Sequence, residues 1–229
     1  MLSIDGGVIV SAQPASAGPQ SPLILIVPGL ANSGPDHWQS AWERQRSDCV
    51  RVELGMWDRP HRNTWVNQLN LAIYRAGRPV ILVAHSLGCH AVAWWAHYEQ
   101  PERGGPVLGA LLVAPPDVDT VAPHHPIATF APTPEIALPF ESIVVASHDD
   151  HYIPYERARD LAQIWGAQFA DAGQVGHINA DSGLGDWPFG QFLLERLVAR
   201  VTGQRLARRG QHATQLAAGR GPSLLNPLG

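Results

Sequence analysis

Apolar residues gather in short continuous runs at 23–27, 50–54, 79–84, 108–114 and 143–147. Between most of these runs lie stretches, at 35–46, 63–76, 87–99 and 154–165, in which apolar residues recur at helical spacing. A strand that is apolar on both faces must be covered on both faces, so such runs alternating with helices predict parallel strands joined by crossovers. A sixth short strand near 167–170 and a last helix over 188–202, with Phe189, Phe192, Leu193 and Leu197 near one face, complete the set. The chain reads as α/β, a three-layer sandwich around a mostly parallel sheet of about six strands.

Three segments fall outside this alternation. Residues 1–21, rich in Gly, Ala, Ser and Pro, read as a flexible leader with at most a short strand at Val8-Ile9-Val10. Residues 115–140 hold many prolines, the adjacent His124 and His125, and no period; an irregular insertion at this place predicts either a small cap over a site or a surface loop. After Gly203 the composition turns to Gly, Ala, Arg, Gln and Pro, too little apolar surface to order itself, so 203–229 reads as a disordered tail. Residues 22–202 remain as one domain with a sizeable core.

The net charge of −4 conceals an asymmetry. All sixteen basic residues are arginines, and four of them, Arg205, Arg208, Arg209 and Arg220, follow Gly203, where no acid occurs. The other twelve stand against twenty acids, a balance of −8 over residues 1–202. An acidic body argues against nucleic acid and against an anionic membrane as partners. Cys49 and Cys89 show neither Cys-x-x-Cys nor metal-ligand spacing, which leaves two free buried thiols as the expectation. The start Met1-Leu2-Ser3-Ile4-Asp5 lacks the basic opening of a secretory signal and no apolar run is long enough to cross a bilayer, so a soluble, cytoplasmic protein is expected.

The chemistry concentrates where the run Pro79–Ala84 meets the helix from residue 87, at His85-Ser86-Leu87-Gly88. An apolar strand followed by a serine with small neighbours and a helix is a nucleophile elbow; Ala84 stands where the usual Gly-x-Ser-x-Gly pattern has its first glycine, and Gly88 is the second. A serine at that place also serves as a plain helix N-cap, so its partners decide between the two readings. A serine hydroxyl attacks only when a base takes its proton and a third group orients that base, and in sheets of this kind the chain order is Ser, then Asp or Glu, then His. The run Ser142–Ser147 delivers His148-Asp149-Asp150-His151 at its end, four residues before Pro154 for Asp150. Asp150 is preferred as the acid over Asp149, read as a locally capping turn residue, with Asp117 third. His177, in Gly176-His177 after the last strand, is the base candidate among eleven histidines. The backbone N–H groups of Leu87, after the serine, and Leu30, in the loop Val27-Pro28-Gly29-Leu30, are the candidates for an oxyanion hole. Most of the eight tryptophans read as core, while Trp38 and Trp187 follow these loops and are candidates to line an acyl pocket.

These motifs, with Ser33, His37-Trp38 and Trp42 in the first loop, resemble the retinoblastoma-binding protein 9 family of small serine hydrolases, its bacterial members most. The resemblance covers roughly residues 22–200 and implies a minimal α/β-hydrolase fold with Ser86, Asp150 and His177 as a Ser–His–Asp triad, its natural substrates mostly unassigned. The residues themselves read as a cofactor-free hydrolase acting on a small-molecule acyl substrate, an ester first. Leu87-Gly88-Cys89-His90-Ala91 lacks the glutamate of the Leu-x-Cys-x-Glu motif, so the family's retinoblastoma-type partner is not carried over. Two other classes compete: a binding or regulatory protein on the same scaffold, and a metal site at His148–His151, against which stands the inability of four consecutive residues to face one ion.

Overall fold

The six strands of the described residues all run parallel, in the order β2-β1-β3-β4-β5-β6. They are β1 (Leu23–Val27), β2 (Cys49–Arg51), β3 (Val80–His85), β4 (Val107–Val113), β5 (Glu141–Ala146) and β6 (Gln168–Asp171). Between and after them lie α1 (Trp38–Gln45), α2 (Arg62–Arg75), α3 (Leu87–Glu99), α4 (Tyr155–Ile164) and α5 (Pro188–Ala218). The computed structural model describes residues 21–218, with side chains as far as residue 207; residues 1–20 of the expected leader, where a short strand at Val8-Ile9-Val10 is the expectation, and residues 219–229 of the tail lie outside them.

The alternation of side chains along each buried strand builds two cores. Leu25 and Val27 of β1, Leu82 and Ala84 of β3 and Leu112 of β4 meet α2, α3 and α4 on one face. Ile24 and Ile26, Ile81 and Val83, Leu111 and Val113 meet α1 and α5 on the other. Each such Leu, Ile or Val contributes about 2 kcal/mol by leaving water, which is why runs apolar at every position were needed. β1 leads to β2 on one side and β2 leads back to β3 on the other, so the carboxyl ends of β1 and β3 diverge at a switch point where such sheets open a crevice.

Three boundaries depart from the sequence pattern. The second strand stops at Arg51 rather than 54: Val52 still donates to the Ile26 carbonyl at 2.9 Å, but Gly55 and Met56 adopt left-handed φ values of 69° and 48° and turn the chain away. The first helix begins at Trp38 rather than 35, because His37 is extended and its Nδ1 accepts the Gln39 N–H at 3.1 Å as an N-cap. The last helix continues to Ala218, well beyond 202, so residues 203–218 of the expected tail are helical; Gln, Arg, Leu and Ala there carry high helix propensity.

The 115–140 segment is fastened to one helical layer. Trp94 and Trp165 donate their indole N–H groups to the carbonyls of Phe130 and Pro134, at 2.7 and 3.1 Å, and Val118, Ile127, Phe130 and Leu138 are buried in the core beneath. No helix among the described residues is long and apolar enough to cross a membrane.

Within this layer His90 of α3 is wholly buried and donates Nε2–H to the Pro116 carbonyl at 2.7 Å. Burial holds its pKa near 4, from an ordinary 6.5. The unfolded chain therefore takes up a proton as pH falls below 6.5 while the folded chain does not, so stability is complete above that value and declines toward pH 4. By about pH 5 His90 alone removes about 2 kcal/mol. Urea denaturation is expected to show this decline, and H90Q, which keeps a donor and loses the titration, to flatten it; an unchanged slope in H90Q would refute the assignment.

Candidate active site

Ser86 stands between β3 and α3 with φ 53° and ψ −127°, a strained conformation for a residue bearing a Cβ. Its N–H is held by the Val113 carbonyl at 2.8 Å, and its side chain makes no capping bond to α3. The plain N-cap reading is thereby set aside. The tight turn works only with bare backbone opposite it. A Cβ on Gly88 would collide with the Val27 carbonyl oxygen and lie 2.6 Å from that of Pro28, and one on Gly29 would lie 2.7 Å from the Ser86 Cβ. The extra methyl of Ala84 is absorbed in the core, where that residue is fully buried.

Three loops converge on the serine. His177 Nε2 lies 2.8 Å from Ser86 Oγ, and His177 Nδ1 lies 2.9 and 3.0 Å from the two oxygens of Asp150. A carboxylate only accepts, so Nδ1 carries the proton and the Nε2 lone pair faces the serine hydroxyl. The Asp150 side chain is 1 % exposed and that of His177 10 %. Asp150 Oδ1 also accepts the Tyr152 N–H at 2.9 Å, which fixes the carboxylate plane. The structure thus brings Ser86, His177 and Asp150 into one hydrogen-bonded chain, whereas Asp117 turns to Arg157 and the Asp119 amide.

The backbone N–H groups of Leu30 and Leu87 donate to no acceptor among the described residues. They belong to the two loops that Gly29 and Ser86 bring together. The first loop is braced from behind: Ser33 Oγ donates to Gln39 Oε1 at 2.6 Å, Gln39 Nε2 reaches the Val83 carbonyl at 3.0 Å, and Arg51 donates to Asn32, the Ser33 carbonyl and Ser40.

Asp149 has a role that local reading missed. Its Oδ1 accepts from Ser147 Oγ at 2.7 Å and from the Gly176 N–H at 2.8 Å, so beyond its local bonds it straps the acid loop to the histidine loop. Those two bonds, Ser147 first, hold its carboxyl below the usual range. The four polar residues 148–151 do not converge: His148 bonds Asp171, Asp149 bonds Ser147 and Gly176, and Asp150 bonds His177. Tyr152, half exposed, sets its ring 4.4 Å from that of His177 and so forms a lip beside it. No local pattern marks that tyrosine.

Trp38 and Trp187 do not line a pocket. They are 1 % and 3 % exposed and pack on each other at 4.8 Å. Trp38 Nε1 donates to the Ile178 carbonyl and Trp42 Nε1 to that of Asp186, both at 2.8 Å, so these indoles form the floor under the histidine loop. Apolar area of this size is too favourable to bury for the rings to remain open beside it.

Residues 24–196 match the model of the serine hydrolase family. A curated relative, the provisionally named hydrolase YdeN of Bacillus subtilis (strain 168), is 27 % identical over 172 residues, which cover 72 % of this chain and 90 % of that protein. The crystal structure of a YdeN-like hydrolase from Pectobacterium atrosepticum superposes with a TM-score of 0.68 at 30 % identity, over 78 % of this chain and 91 % of that one. An α/β hydrolase from a sediment metagenome of the Mar Chica lagoon in Morocco matches with a TM-score of 0.57 at 16 % identity, over 79 % of this chain and 92 % of that one. With a six-stranded parallel sheet flanked by helices on both faces and a family match over most of its length, this chain has the α/β-hydrolase fold and belongs to the serine hydrolase family.

Proposed function

We propose that this protein is a cofactor-free carboxylesterase that cleaves small-molecule esters, thioesters or activated amides through an acyl-enzyme. The observation that carries the reading is the unbroken chain from Ser86 Oγ through His177 to the nearly fully buried Asp150 side chain, at 2.8 and 2.9 Å. In the acylation step Ser86 Oγ adds to the substrate carbonyl while His177 Nε2 accepts its proton. Asp150 keeps Nδ1–H directed and stabilises the imidazolium that forms. The unclaimed N–H groups of Leu30 and Leu87 receive the oxyanion, a donor pair of which each member is worth about a hundredfold or more in turnover. His177 then returns the proton to the leaving alcohol, thiol or amine as its bond to the carbonyl carbon breaks, and water repeats the sequence to release the acid.

Ser33 and His37 of the first loop and Trp38 and Trp42 of α1, all used in bracing or flooring the site, support a place near the retinoblastoma-binding protein 9 branch. The acidic body supports a small-molecule partner rather than nucleic acid or membrane, and the two unpaired buried thiols, Cys49 and Cys89, support a cytoplasmic setting.

Labelling by a fluorophosphonate probe tests the reading. The wild type is expected to react at Ser86 and to hydrolyse a panel of short- to long-chain aryl esters, and S86A to lose both while keeping its thermal midpoint. A folded wild type that neither labels nor turns over any ester would favour a binding protein on this scaffold, and labelling that persists in S86A would remove Ser86 as nucleophile.

A further inference from the structure

We propose, on the basis of the serine hydrolase reading above, that His85 is a positioning residue that fixes the base: its buried ring N–H holds the backbone of His177 so that the imidazole meets Ser86. His85 precedes the serine and is 5 % exposed. Its Nε2 lies 2.9 Å from the His177 carbonyl oxygen. A carbonyl only accepts, so the proton sits on Nε2 and the bond runs from elbow to histidine loop.

The loop requires such a hold. Ile178, directly after the base, adopts φ 50°, a region that a β-branched residue enters only when its surroundings impose it. Two buried ring donors grip the two peptide carbonyls there: His85 takes that of His177, and Trp38 Nε1 takes that of Ile178. Without the first, the His177 peptide is free to relax and carry Nε2 away from the serine. A shift of about 1 Å at a reacting group costs about a hundredfold in rate.

The surroundings also keep this donor uncharged. The His85 ring lies 5.0 Å from that of His177 and is met edge-on by His37 at 4.7 Å. His37 accepts the Gln39 N–H at Nδ1, which places its own proton on Nε2, a buried atom with no partner among the described residues. Burial first, then the neighbouring histidines, holds His85 well below the ordinary histidine range, and burial and Arg51 hold His37 near 4. Neither ring therefore adds a positive charge against the imidazolium that His177 becomes while it carries the proton.

Two amide variants separate a hydrogen bond from mere packing. In H85Q the side-chain N–H reaches about as far as the imidazole Nε2; in H85N the same amide is one carbon shorter and cannot reach the His177 carbonyl. We expect H85N to lower kcat on an aryl ester by about tenfold to a hundredfold with KM nearly constant. H85Q is expected to stay within about threefold of wild type. The far-downfield proton resonance of His177 Nδ1–H, shared with Asp150, should broaden or move in H85N and return in H85Q. Equal kcat and an unaltered resonance in both variants would overturn the proposal. The resonance needs no turnover, so it decides the role of His85 even where a wild type inert to fluorophosphonate has removed the hydrolase reading itself.

Discussion

Replacing His177 with alanine is expected to lower kcat on a simple aryl ester by about a millionfold, and Asp150→Asn by about ten-thousandfold. The difference follows from position. His177 Nε2 touches the hydroxyl that must lose its proton, at 2.8 Å, whereas Asp150 acts one bond further back, through Nδ1. Asparagine presents an N–H as readily as an oxygen toward Nδ1 and allows the wrong tautomer, with the Nε2 lone pair lost. Because the three groups operate as a unit, S86A/H177A should be no slower than S86A alone. Single-turnover acylation for H177A and D150N, and residual ester hydrolysis for S86A and S86A/H177A, each corrected for folded protein by circular dichroism, measure these effects. A loss of only about tenfold in H177A would show that another group serves as base, since general acid–base catalysis alone supplies about a hundredfold or more.

Gly29→Ala is expected to reduce kcat by about a hundredfold or more while leaving most of the stability intact. The added Cβ would lie 2.7 Å from the Ser86 Cβ, 3.1 Å from the His85 carbonyl oxygen and 3.2 Å from the nucleophilic oxygen itself. No far end of a flexible side chain is available to yield there, so either the elbow or the first loop must shift. Either shift spoils the proposed acylation step: moving the elbow displaces Oγ from His177, and moving the loop displaces the Leu30 N–H from the place it takes in the proposed oxyanion hole. Gly29 carries no left-handed φ, so backbone strain adds nothing to the effect. The rate of fluorophosphonate inactivation should fall with kcat, and the thermal midpoint should change little. Wild-type inactivation kinetics in G29A would show that the two loops do not meet as tightly as the geometry requires.

Much of this site was legible in the chain because its parts are locally encoded. A continuous apolar run ends at Ser86, Gly88 follows two residues later, and a strand end delivers Asp150 and another precedes His177. In a sheet of parallel strands every such end lies on the same edge, so order and position along the chain suffice to bring those residues to one side of the molecule. Local reading reached its limit where a residue acts on another loop. Asp149 looks like a turn cap from its neighbours alone, yet its acceptor oxygen holds Gly176, on the histidine loop. Trp38 and Trp187 lie beside active-site loops in the chain and under them in space, where their rings support the histidine turn instead of facing substrate. His85, which in the chain is only the residue before the serine, is turned toward the backbone of His177.

The amino-acid pattern by itself determined the parallel α/β architecture, the serine corner and the chain order of Ser86, Asp150 and His177 at strand ends, because these follow from side-chain period and turn chemistry over a few residues. Only the tertiary structure decided which aspartate faces the imidazole, which aromatic rings are floor rather than lining, and how the first loop, the elbow and the histidine turn grip one another. Those contacts join residues as much as 144 positions apart, as in the bond from Trp42 to Asp186. Their free energy depends on a few tenths of an ångström in packing, which no local run of residues encodes.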